Sequence, residues 1–427
     1  MEILILGAGK VGYFLSKSLS KNHNVTIIDK NEKALEKINE NLDVLTIKKD
    51  IRDPDVICFL NSEYDYFISV TNIDEINVIA YFLLANKINI KHSIIRLSNT
   101  FYIDSSLTTI TSSKLIFPYI LCASNIASLM NFPKANNIKN FPFTDFKLVS
   151  IRAQNPKITD IKSIEKENLT VIGVERNEEF IFLNSKEKIQ NDDLVYMFGD
   201  LKEIKKTASF INTITPEKIE KVTIFSADIL GITIVKTLYD MNINIKVVEK
   251  DEEKAKKAAD MLPDEIEILN FGYDDDELLY ANGIHLSDVA VTAYPHDEEN
   301  IIKSLKAQKI GIKKVITINN NLSYHSIMHS LKLSTIRGPK IATFYEILED
   351  IDSQFLIYER FFLGSKGKIF IKKIFKPTKI IPPKEYAKII ILSKNKIYVV
   401  KDKFEANEND LVIEFNFSGN RKWIENL

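Results

Sequence analysis

A chain of 427 residues is too long for one ordinary hydrophobic core and long enough for two to four domains. Hydrophobic residues make up 45% of the chain and charged residues 27%, which is typical of a folded globular protein rather than a disordered one. The 57 Lys and Arg residues nearly balance the 58 Asp and Glu residues, so the net charge of -1 gives no general attraction to nucleic acid or to an anionic membrane.

The N-terminal residues run directly into a buried-strand pattern, without the basic start and the cleavage site of a signal peptide. The most apolar long stretch, 115–132, is interrupted by Pro118, Ser124, Asn125, Ser128 and Asn131. A membrane span needs ~20 predominantly apolar residues, so this stretch is not expected to cross a bilayer. We therefore expect a cytoplasmic protein whose membrane role comes through a partner. Cys58 and Cys122 have apolar neighbours, which favours two buried thiols over a disulfide framework.

Short β-branched runs alternate with helical patterns in the first third of the chain. The predicted strands cover 2–6, 25–29, 44–48, 66–70 and 93–97, and the predicted helices lie near 11–21, 31–40 and 74–87. These runs do not alternate polar with apolar residues, and helices separate them. Both features indicate parallel strands covered on both faces, as in a doubly wound α/β domain.

A glycine-rich motif follows the first predicted strand and opens the first helix: Gly7-Ala8-Gly9-Lys10-Val11-Gly12. In this context the motif indicates a dinucleotide-binding loop. Gly7 permits the tight turn, Gly9 lets the backbone approach a diphosphate, and Gly12 lets the helix pack on the strand. The helix N-terminus offers free N–H groups to the phosphates. Asp29, at the end of the next strand, could accept hydrogen bonds from ribose hydroxyls, which favours NAD over NADP. The alternatives are packing glycines that bind nothing and a surface acid at Asp29.

The pattern of the first third returns after a middle stretch of short strands at 144–210. Val222-Thr-Ile-Phe-Ser226 answers the first strand, Val289-Ala-Val-Thr292 answers Ile68-Ser-Val-Thr71, and Gly338-Pro339 answers Phe117-Pro118. The second copy keeps the packing glycine, Gly231, but has Ser226 and Asp228 in place of the first two glycines. A β-carbon would block the backbone, and a carboxylate would repel a phosphate. We therefore expect no dinucleotide binding in the second copy.

The repeat predicts the domain organisation of the chain. The fold class is α/β, with two doubly wound Rossmann-like domains, each followed by a small α+β subdomain. The predicted ranges are 1–140 for the first Rossmann-like domain with its crossover helix, 141–214 for the first small subdomain, 215–352 for the second, degenerate Rossmann-like domain and 353–427 for the second, divergent subdomain.

A family resemblance is carried by Gly7-Ala-Gly-Lys-Val-Gly12, Asp29, Val70-Thr-Asn-Ile-Asp-Glu-Ile-Asn77 and Ile95-Arg96-Leu. These segments resemble the RCK domain, also called KTN, and the whole chain resembles the tandem RCK proteins of Trk potassium-uptake systems. The resemblance implies a regulatory subunit, peripheral on the inner face of the cell membrane, that assembles into a ring, expected to be a tetramer. It would gate a TrkH/TrkG-like potassium-translocating subunit. The helices after Pro118 and Pro339 resemble the crossover helices that connect RCK domains.

The same resemblance implies regulatory ligands, NAD or NADH and ATP or ADP, in the first RCK domain. The segment from Gly7 to Val11 would line the diphosphate, and Asp29 would hold the adenosine ribose. Lys10 occupies a variable position where some relatives carry an arginine that touches a γ-phosphate. A lysine there would make a point-charge contact rather than a bidentate one. A solvated Lys10 is the alternative.

Three further residues are assigned to the nucleotide by the resemblance. Thr71 and Asn72 would close over it, and Arg96 would contact its base or phosphate region. Thr71 and Asn72 could instead cap the following helix. Arg96 could instead pair with a nearby carboxylate.

The main rival function is an NAD-dependent oxidoreductase, which would need a positioned acid/base group. Among the histidines, His325 and His329 have i, i+4 spacing, but two ligands without a third donor make a poor zinc site. We therefore predict no catalytic residue, no metal ligand and no enzymatic activity. A nucleotide sensor for another membrane partner is the second rival.

Overall fold

The computed structural model describes residues 1–103, 107, 111–141, 143–177, 179–183, 187–273, 275–353, 357–363, 367–383, 387–417 and 422–427. The chain forms two compact units. Unit 1 combines Met1–Leu121 with Gly338–Asp350, and unit 2 combines Cys122–Arg337 with Ile351–Leu427.

Unit 1 is built on a parallel sheet of six strands in the order β3-β2-β1-β4-β5-β6. The strands are β1 (Glu2–Leu6), β2 (Asn24–Asp29), β3 (Leu45–Lys48), β4 (Glu63–Ser69), β5 (Asn89–Arg96) and β6 (Lys114–Ile116). The helices between them are α1 (Lys10–Leu19), α2 (Glu32–Asn39) and α3 (Asp74–Ala85). The strand order reverses between β1 and β4, the point at which open α/β sheets bind ligands.

The buried residues explain why these elements form. Ile3, Leu4 and Ile5 are all completely buried, so β1 is covered on both faces, as its continuous apolar run predicts. Leu15 and Leu19 of α1 are buried one helical turn apart, which places one side of that helix on the sheet.

One cysteine prediction is wrong. Cys122 is buried as expected, but Cys58 is exposed. Cys58 lies in a short 3-10 helix, Pro54–Phe59, of which only Val56 is buried. A 3-10 helix of two turns can bury few of its residues, so the apolar neighbourhood in sequence did not determine which side chain points inward.

Helix α4 (Pro118–Asn131) crosses from unit 1 into unit 2, and its residues from Cys122 onward belong to unit 2. A five-stranded antiparallel sheet follows in the order β10-β9-β11-β8-β7. Its elements are β7 (Ala135–Phe141), β8 (Thr144–Arg152), α5 (Ile161–Ile164), β9 (Leu169–Arg176), β10 (Glu179–Ile181), β11 (Leu194–Gly199) and α6 (Leu201–Ile211).

The second parallel sheet of six strands repeats the first, in the order β14-β13-β12-β15-β16-β17. Its strands are β12 (Lys221–Phe225), β13 (Asn244–Val248), β14 (Glu267–Leu269), β15 (Val289–Thr292), β16 (Lys314–Asn319) and β17 (Ser334–Arg337). Its helices are α7 (Ile229–Leu238), α8 (Glu252–Met261), α9 (Asp276–Ala281), α10 (Asp297–Lys309) and α11 (His325–Ser330).

Helix α12 (Pro339–Ser353) leads into the last sheet, which is antiparallel and five-stranded in the order β18-β19-β24-β21-β22. The remaining elements are β18 (Ile357–Phe362), β19 (Gly367–Lys373), β20 (Thr378–Ile380), β21 (Ala387–Ser393), β22 (Lys396–Val400), β23 (Phe404–Ala406), β24 (Leu411–Asn416) and α13 (Lys422–Glu425). Strands β20 and β23 form a separate pair. The predicted fold class, two Rossmann-like domains with small α+β subdomains, is confirmed.

The two small subdomains share one apolar core within unit 2. The ring of Phe198 lies 6.1 Å from that of Phe415, and the ring of Phe180 lies 4.8 Å from that of Phe417. Burial of large aromatic rings on both sides makes the two antiparallel sheets one packed body.

The crossover helices are exchanged between the repeats. Residues 122–131 of α4 belong to unit 2, where the thiol of Cys122 donates to the carbonyl oxygen of Arg337 at 3.1 Å. Residues 339–350 of α12 belong to unit 1. There Lys114 lies 2.9 Å from both Glu346 and Asp350. The first repeat is therefore completed by a helix of the second.

The strand register corrects one pairing of the repeat. Leu6 lies opposite Ser69 in the first sheet, and Phe225 lies opposite Thr292 in the second. Thr292 is therefore equivalent to Ser69, and Tyr294 is equivalent to Thr71. The sequence analysis matches Thr71 with Thr292 because a valine precedes both threonines, and this match is two residues out of register.

Candidate functional site

A cavity of about 340 Å³ opens at the carboxyl ends of the first parallel sheet. All of its lining residues belong to unit 1. They come from the ends of β1, β2 and β5, from the loops after β1, β2, β3 and β4, from α1, α2 and α3, and from the start of α12. The lining includes Gly7, Gly9, Lys10, Val11, Asp29, Thr71, Asn72, Arg96 and Lys340. This volume lies at the lower end of the range for sites that hold a small organic ligand.

The three glycines of the motif have three different environments. Gly7 has a φ of 105°, which a residue with a side chain rarely adopts. A Cβ on Gly12 would lie 1.8 Å from the carbonyl oxygen of Gly7, so only glycine allows the helix to approach the loop. A Cβ on Gly9 would meet no atom within 4 Å. Gly9 is therefore not required by packing, and its bare backbone faces open space.

Asp29 stabilises the glycine loop. Its Oδ2 accepts a hydrogen bond from the Ala8 N–H at 2.6 Å, and its Oδ1 accepts one from the Asn31 N–H at 2.8 Å. A carboxylate has about four acceptor positions, so these bonds leave capacity for a ribose hydroxyl. Asp29 lines the cavity and is only partly exposed.

A buried amide holds the far wall of the cavity together. Asn77 donates to the carbonyl oxygens of Thr71 and Arg96, at 3.1 and 2.8 Å, and its Oδ1 accepts from the Thr71 N–H at 3.0 Å. Arg96 Nη1 also donates to the Thr71 carbonyl at 2.8 Å. The ends of β4 and β5 are thus joined through Asn77, a role that the sequence analysis did not assign to this residue.

Neither Thr71 nor Asn72 is the N-cap residue of α3, so the alternative that they cap this helix is not what the structure contains. The residue before that helix is Ile73, which has no side chain that could cap it. The Thr71 hydroxyl accepts the Ile73 N–H at 3.2 Å, and Asn72 lines the cavity.

Arg96 is nine-tenths buried at the end of β5. Among the described residues its Nε has no hydrogen-bond partner, and the guanidinium has no ion pair. The nearby carboxylate of Asp74 is engaged with the N–H groups of Ser98 and Asn99, at 2.8 and 2.7 Å. Burial lowers the pKa of Arg96. The alternative, a simple ion pair between Arg96 and a carboxylate, is therefore absent from the described residues.

Lys340 is a cavity residue that the sequence analysis missed. It is the second residue of α12, and it lines the cavity together with Lys10 and Arg96. Burial, together with the positive charges of Lys10 and Arg96, lowers the pKa of Lys340. No sequence motif pointed to it, because it lies more than three hundred residues from the glycine loop and reaches unit 1 only through the exchanged helix.

Two motif residues contribute to the loop without lining the cavity. Ala8 is buried and supplies the N–H bound by Asp29, and Gly12 packs against Gly7. The other predicted residues of the site are brought together around one opening. Their contact with a ligand stays a prediction.

The second copy keeps the loop shape but not the open space. Ser226 has a φ of 128°, close to that of Gly7, and a Cβ on Gly231 would lie 2.0 Å from the Ser226 carbonyl oxygen. Glu249 accepts the Ala227 N–H at 2.9 Å, as Asp29 does for Ala8. An acid at this position therefore stabilises the loop in both copies.

Charged side chains form ion pairs near the loop of the second copy. Asp228, at the position of Gly9, forms an ion pair with Lys254 at 2.7 Å. Lys303 is buried, bonds Glu299 at 2.5 Å and lies 3.2 Å from the centre of the Tyr294 ring. The expectation that this copy is silent stays a prediction, and these contacts agree with it.

The histidines do not gather into a metal site in the described residues. His325 and His329 lie on α11 with ring centres 6.1 Å apart, and His329 Nε2 lies 3.1 Å from Glu175. Within the part of the chain that the structure describes, no group of three His, Cys, Asp or Glu side chains could hold a metal ion. No helix in that same part is both long and apolar enough to cross a bilayer.

Two doubly wound domains in one chain, the first with a complete glycine loop beside an open cavity, define a tandem Rossmann-like protein with one intact cleft. The sequence model of the TrkA-N domain matches residues 3–117 and 222–339, more than half of the chain. The chain therefore belongs to the TrkA-N domain family.

Relatives and solved structures agree with this membership. The Trk system potassium uptake protein TrkA homolog 2 of Methanosarcina mazei is 26% identical, with full coverage of both chains. The TrkA protein of Vibrio alginolyticus is 25% identical over 82% of this chain and 79% of its own. The GsuK RCK domain has the same fold, with a TM-score of 0.61, 14% identity and coverage of 100% of this chain and 94% of that one. A structure of the GsuK channel bound to NAD also gives a TM-score of 0.61, with 14% identity over 99% of this chain and 78% of that one.

Proposed function

We propose that this protein is the cytoplasmic, nucleotide-binding regulatory subunit of a Trk-type potassium-uptake system. It would lie peripherally on the inner face of the membrane and gate a TrkH/TrkG-like potassium-translocating subunit. The observation that carries the proposal is the open cavity beside a complete glycine loop in unit 1. Relatives named as Trk potassium uptake proteins support the transport system, and similarity over the full chain supports the same regulatory part in it.

The regulatory ligands are NAD(H), ATP or ADP. The lining supplies what a nucleotide needs: backbone N–H groups at the start of α1 for phosphates and Asp29 for a ribose. Channels of the same fold have been solved as GsuK bound to NAD and as GsuK bound to ADP, the latter with a TM-score of 0.51 and 10% identity over 82% of this chain and 68% of that one.

Ligand binding regulates through the crossover helices. A ligand shifts an equilibrium between two conformations only through its different affinity for them. Helix α12 meets the cavity at Lys340 and leaves unit 1 after Asp350. A change at the ligand therefore acts directly on a helix that continues into unit 2.

Self-association completes the regulatory assembly. Helices α3 and α10 are equivalent in the two repeats, and both expose apolar side chains at matching positions. These are Ile79 and Phe82 on α3, and Ile302 and Leu305 on α10. Matching apolar faces on tandem domains suit a closed ring of chains, proposed as a tetramer.

A non-enzymatic role is part of the proposal, and the names of the relatives as potassium uptake proteins support it. The Lys and Asp side chains that line the cavity are assigned to ligand binding rather than to proton transfer. Turnover of NADH with a keto acid by the purified protein would contradict this part of the proposal.

Calorimetric titration of the purified chain with NADH, NAD, ATP and ADP tests the proposal. We expect one site per chain for the nucleotides that bind. Gly9→Asp should fold normally, since a side chain there meets open space, and it should weaken binding by at least about a hundredfold because it places a carboxylate against the diphosphate. Asn22→Asp, which adds the same charge in an exposed turn of unit 1, should bind as the wild type does.

The outcomes separate the parts of the proposal. Two sites per chain would contradict a silent second copy, and no binding of any of the four nucleotides would refute the regulatory ligand. Copurification with a TrkH-like membrane protein tests the partner, and copurification with a different membrane protein alone would favour a sensor for another system.

A further inference from the structure

Unit 2 contains another cavity, of about 50 Å³, whose charged lining residues are all basic. Among the residues that the structure describes, no Asp or Glu lines it. The charged lining residues are Lys134, Arg152, Lys313, Lys314 and Lys332. We call this space the basic cavity. All of its lining residues belong to unit 2, so it is separate from the cavity beside the glycine loop.

Two domains of unit 2 together form the basic cavity. Lys134 precedes β7 and Arg152 ends β8, in the antiparallel sheet of the first small subdomain. The other three cations lie at the start of β16 or just before β16 and β17, in the second Rossmann-like domain. Asn136 Nδ2 donates to Ser334 Oγ at 2.8 Å, which joins β7 to β17 at this cavity. The cavity is therefore incomplete without either domain.

Two of the five cations are neutralised from outside the basic cavity. Lys134 Nζ lies 3.3 Å from a carboxylate oxygen of Glu217, and Lys332 Nζ lies 2.6 Å from one of Asp192. Neither of these acids lines the cavity. The other three cations form no ion pair within the described part of the chain, and they share a space that contains no carboxylate from that part.

Arg152 is only 8% exposed, and one of its donors is unused. Its Nη1 donates to the Asp192 carbonyl oxygen at 3.0 Å, but its Nε has no hydrogen-bond partner among the described residues. Two acids act electrostatically on Arg152, namely Asp192 and Glu175. The carboxylate of Asp192 pairs with Lys332, and that of Glu175 lies 3.1 Å from His329 Nε2. A buried donor without a partner costs free energy, and a ligand in the cavity would supply an acceptor.

Lys314 is buried in the wall of the basic cavity. Its ammonium donates to the carbonyl oxygens of Pro133 and Ala135, the latter at 2.6 Å, which leaves one of its three N–H groups available. Burial lowers the pKa of Lys314 from 10.5 to about 7. An anion nearby would favour the charged form again. Lys313, the next residue along the chain, is exposed at the rim of the cavity.

The size and the charge of the basic cavity indicate the class of ligand. A cavity needs about 10–15 Å³ to hold one water molecule, so about 50 Å³ suits a few waters or one small ion and excludes a nucleoside. An oxyanion with several acceptor oxygens can bind more than one charged donor at once, and such bonds are among the strongest that proteins form.

We propose that the basic cavity binds a small inorganic oxyanion of the size of phosphate, held by Arg152 and Lys314 in its wall and by Lys313 at its rim. Because the first small subdomain and the second Rossmann-like domain both supply these residues, the bound ion links the two domains within unit 2. The inference does not depend on the proposed function, since it requires no nucleotide in unit 1.

Calorimetric titration of the full chain with inorganic phosphate tests the inference. Lys313→Gln should weaken phosphate binding about threefold, as expected for an exposed charge, and Arg152→Gln should weaken it at least about tenfold. Lys236→Gln removes the same charge from an exposed position of α7 outside the cavity and should bind as the wild type does. Arg152→Gln also loses a bond to the Asp192 carbonyl, so Lys313→Gln is the variant expected to keep the thermal midpoint of the phosphate-free protein.

Three further measurements identify the ligand and its place. Gly9→Asp should bind phosphate as tightly as the wild type does, and loss of binding in this variant would place the ion in unit 1 and overturn the inference. Phosphate should raise the thermal midpoint of the wild type, because it binds the folded state, whereas potassium chloride at equal ionic strength should not. Glycerol 3-phosphate, which carries the same group on a larger body, should bind at least about tenfold more weakly.

The contrary results are equally definite. No binding of phosphate would mean that the basic cavity holds water only, and an equal effect of chloride would mean general screening of charge. Unchanged phosphate affinity in both Lys313→Gln and Arg152→Gln would place the ion elsewhere, and tighter binding of glycerol 3-phosphate would replace the free ion by a phosphate ester. Each of these results overturns the inference and leaves the proposed function untouched.

Discussion

Asn77 shows how a single buried amide supports the candidate site. It is completely buried and joins the end of β4 to the end of β5. Its counterpart Asn300 donates to the carbonyl oxygens of Tyr294 and Ile318, at 2.9 and 3.1 Å, in the repeat that has lost its glycines. The amide is therefore explained by the fold and not by a ligand, although the motif that contains it helps to identify the family.

Asn77→Ala should lower the free energy of unfolding by about 3 kcal/mol, because it leaves several buried backbone groups without partners. The measurement is denaturant unfolding of the purified chain. Asn86, at the exposed end of the same helix, makes one hydrogen bond to the Phe82 carbonyl oxygen at 3.2 Å. Asn86→Ala should cost under about 1 kcal/mol. Equal effects of the two substitutions would contradict the role of Asn77.

Ser226 is a residue in a backbone conformation suited to glycine. Its φ of 128° places it where side chains are strained, by about 1–3 kcal/mol. Its hydroxyl accepts the Asp228 N–H at 3.1 Å, a weak bond that offsets part of the strain. Ser226→Gly should therefore stabilise the protein by about 1 kcal/mol, measured as a higher denaturant midpoint.

The matched change in the first copy should have the opposite sign. Gly7→Ser places a Cβ 3.1 Å from the Thr71 N at a φ of 105°. We expect it to destabilise the protein by about 1–3 kcal/mol. A destabilising Ser226→Gly would mean that the serine has been selected for its hydrogen bond.

At the scale of elements, strand β24 carries an acid in the centre of the last sheet. Glu414 lies between β19 and β21, is fully buried, and accepts a hydrogen bond from Asn416 Nδ2 at 2.7 Å. Burial raises the pKa of Glu414 from 4.5 to about 7. The folded protein keeps the proton over a range of pH in which the unfolded chain has lost it.

The sign of the pH dependence follows from linkage. Between pH 4.5 and about 7 the unfolded chain binds fewer protons at this site than the folded one. Stability therefore falls as pH rises through this window, by up to about 1.4 kcal/mol per pH unit, and stays level above it. Glu414→Gln should remove this fall and raise the free energy of unfolding most above pH 7. Glu408→Gln, in the exposed turn before β24, should leave the pH profile of unfolding unchanged.

Local sequence patterns predicted the strands and helices better than they predicted the contacts between them. The strands from β1 to β5 and the glycine loop follow from short segments, because burial on both faces and a required turn are recorded in neighbouring residues. The role of Asn77 depends on how the ends of β4 and β5 come together, and that of Lys340 depends on a helix that is far away in sequence. The match of Thr71 with Thr292 failed for the related reason that sheet register, not residue identity, determines equivalence.

At the scale of the whole molecule, the exposed apolar faces of α3 and α10 predict self-association. A double substitution, Phe82→Glu with Ile302→Glu, places a charge on each face, and it should shift the chain toward smaller species in sedimentation velocity. Phe375→Glu adds a charge at another exposed aromatic residue and should leave the size distribution unchanged. If the wild-type chain sediments as a monomer, the proposed assembly of chains into a ring is refuted.

The exchange of α4 and α12 has a consequence for the history of the gene. Two identical subunits that trade a helix form a symmetric dimer, and joining their genes end to end would leave a single chain with the exchange inside it. After such a fusion, each half still needs the helix that the other half supplies. The second half can then lose the glycines of its own loop while it still supplies α12 to the first half. Neither half can be cut from the gene as a continuous stretch that folds with all its contacts.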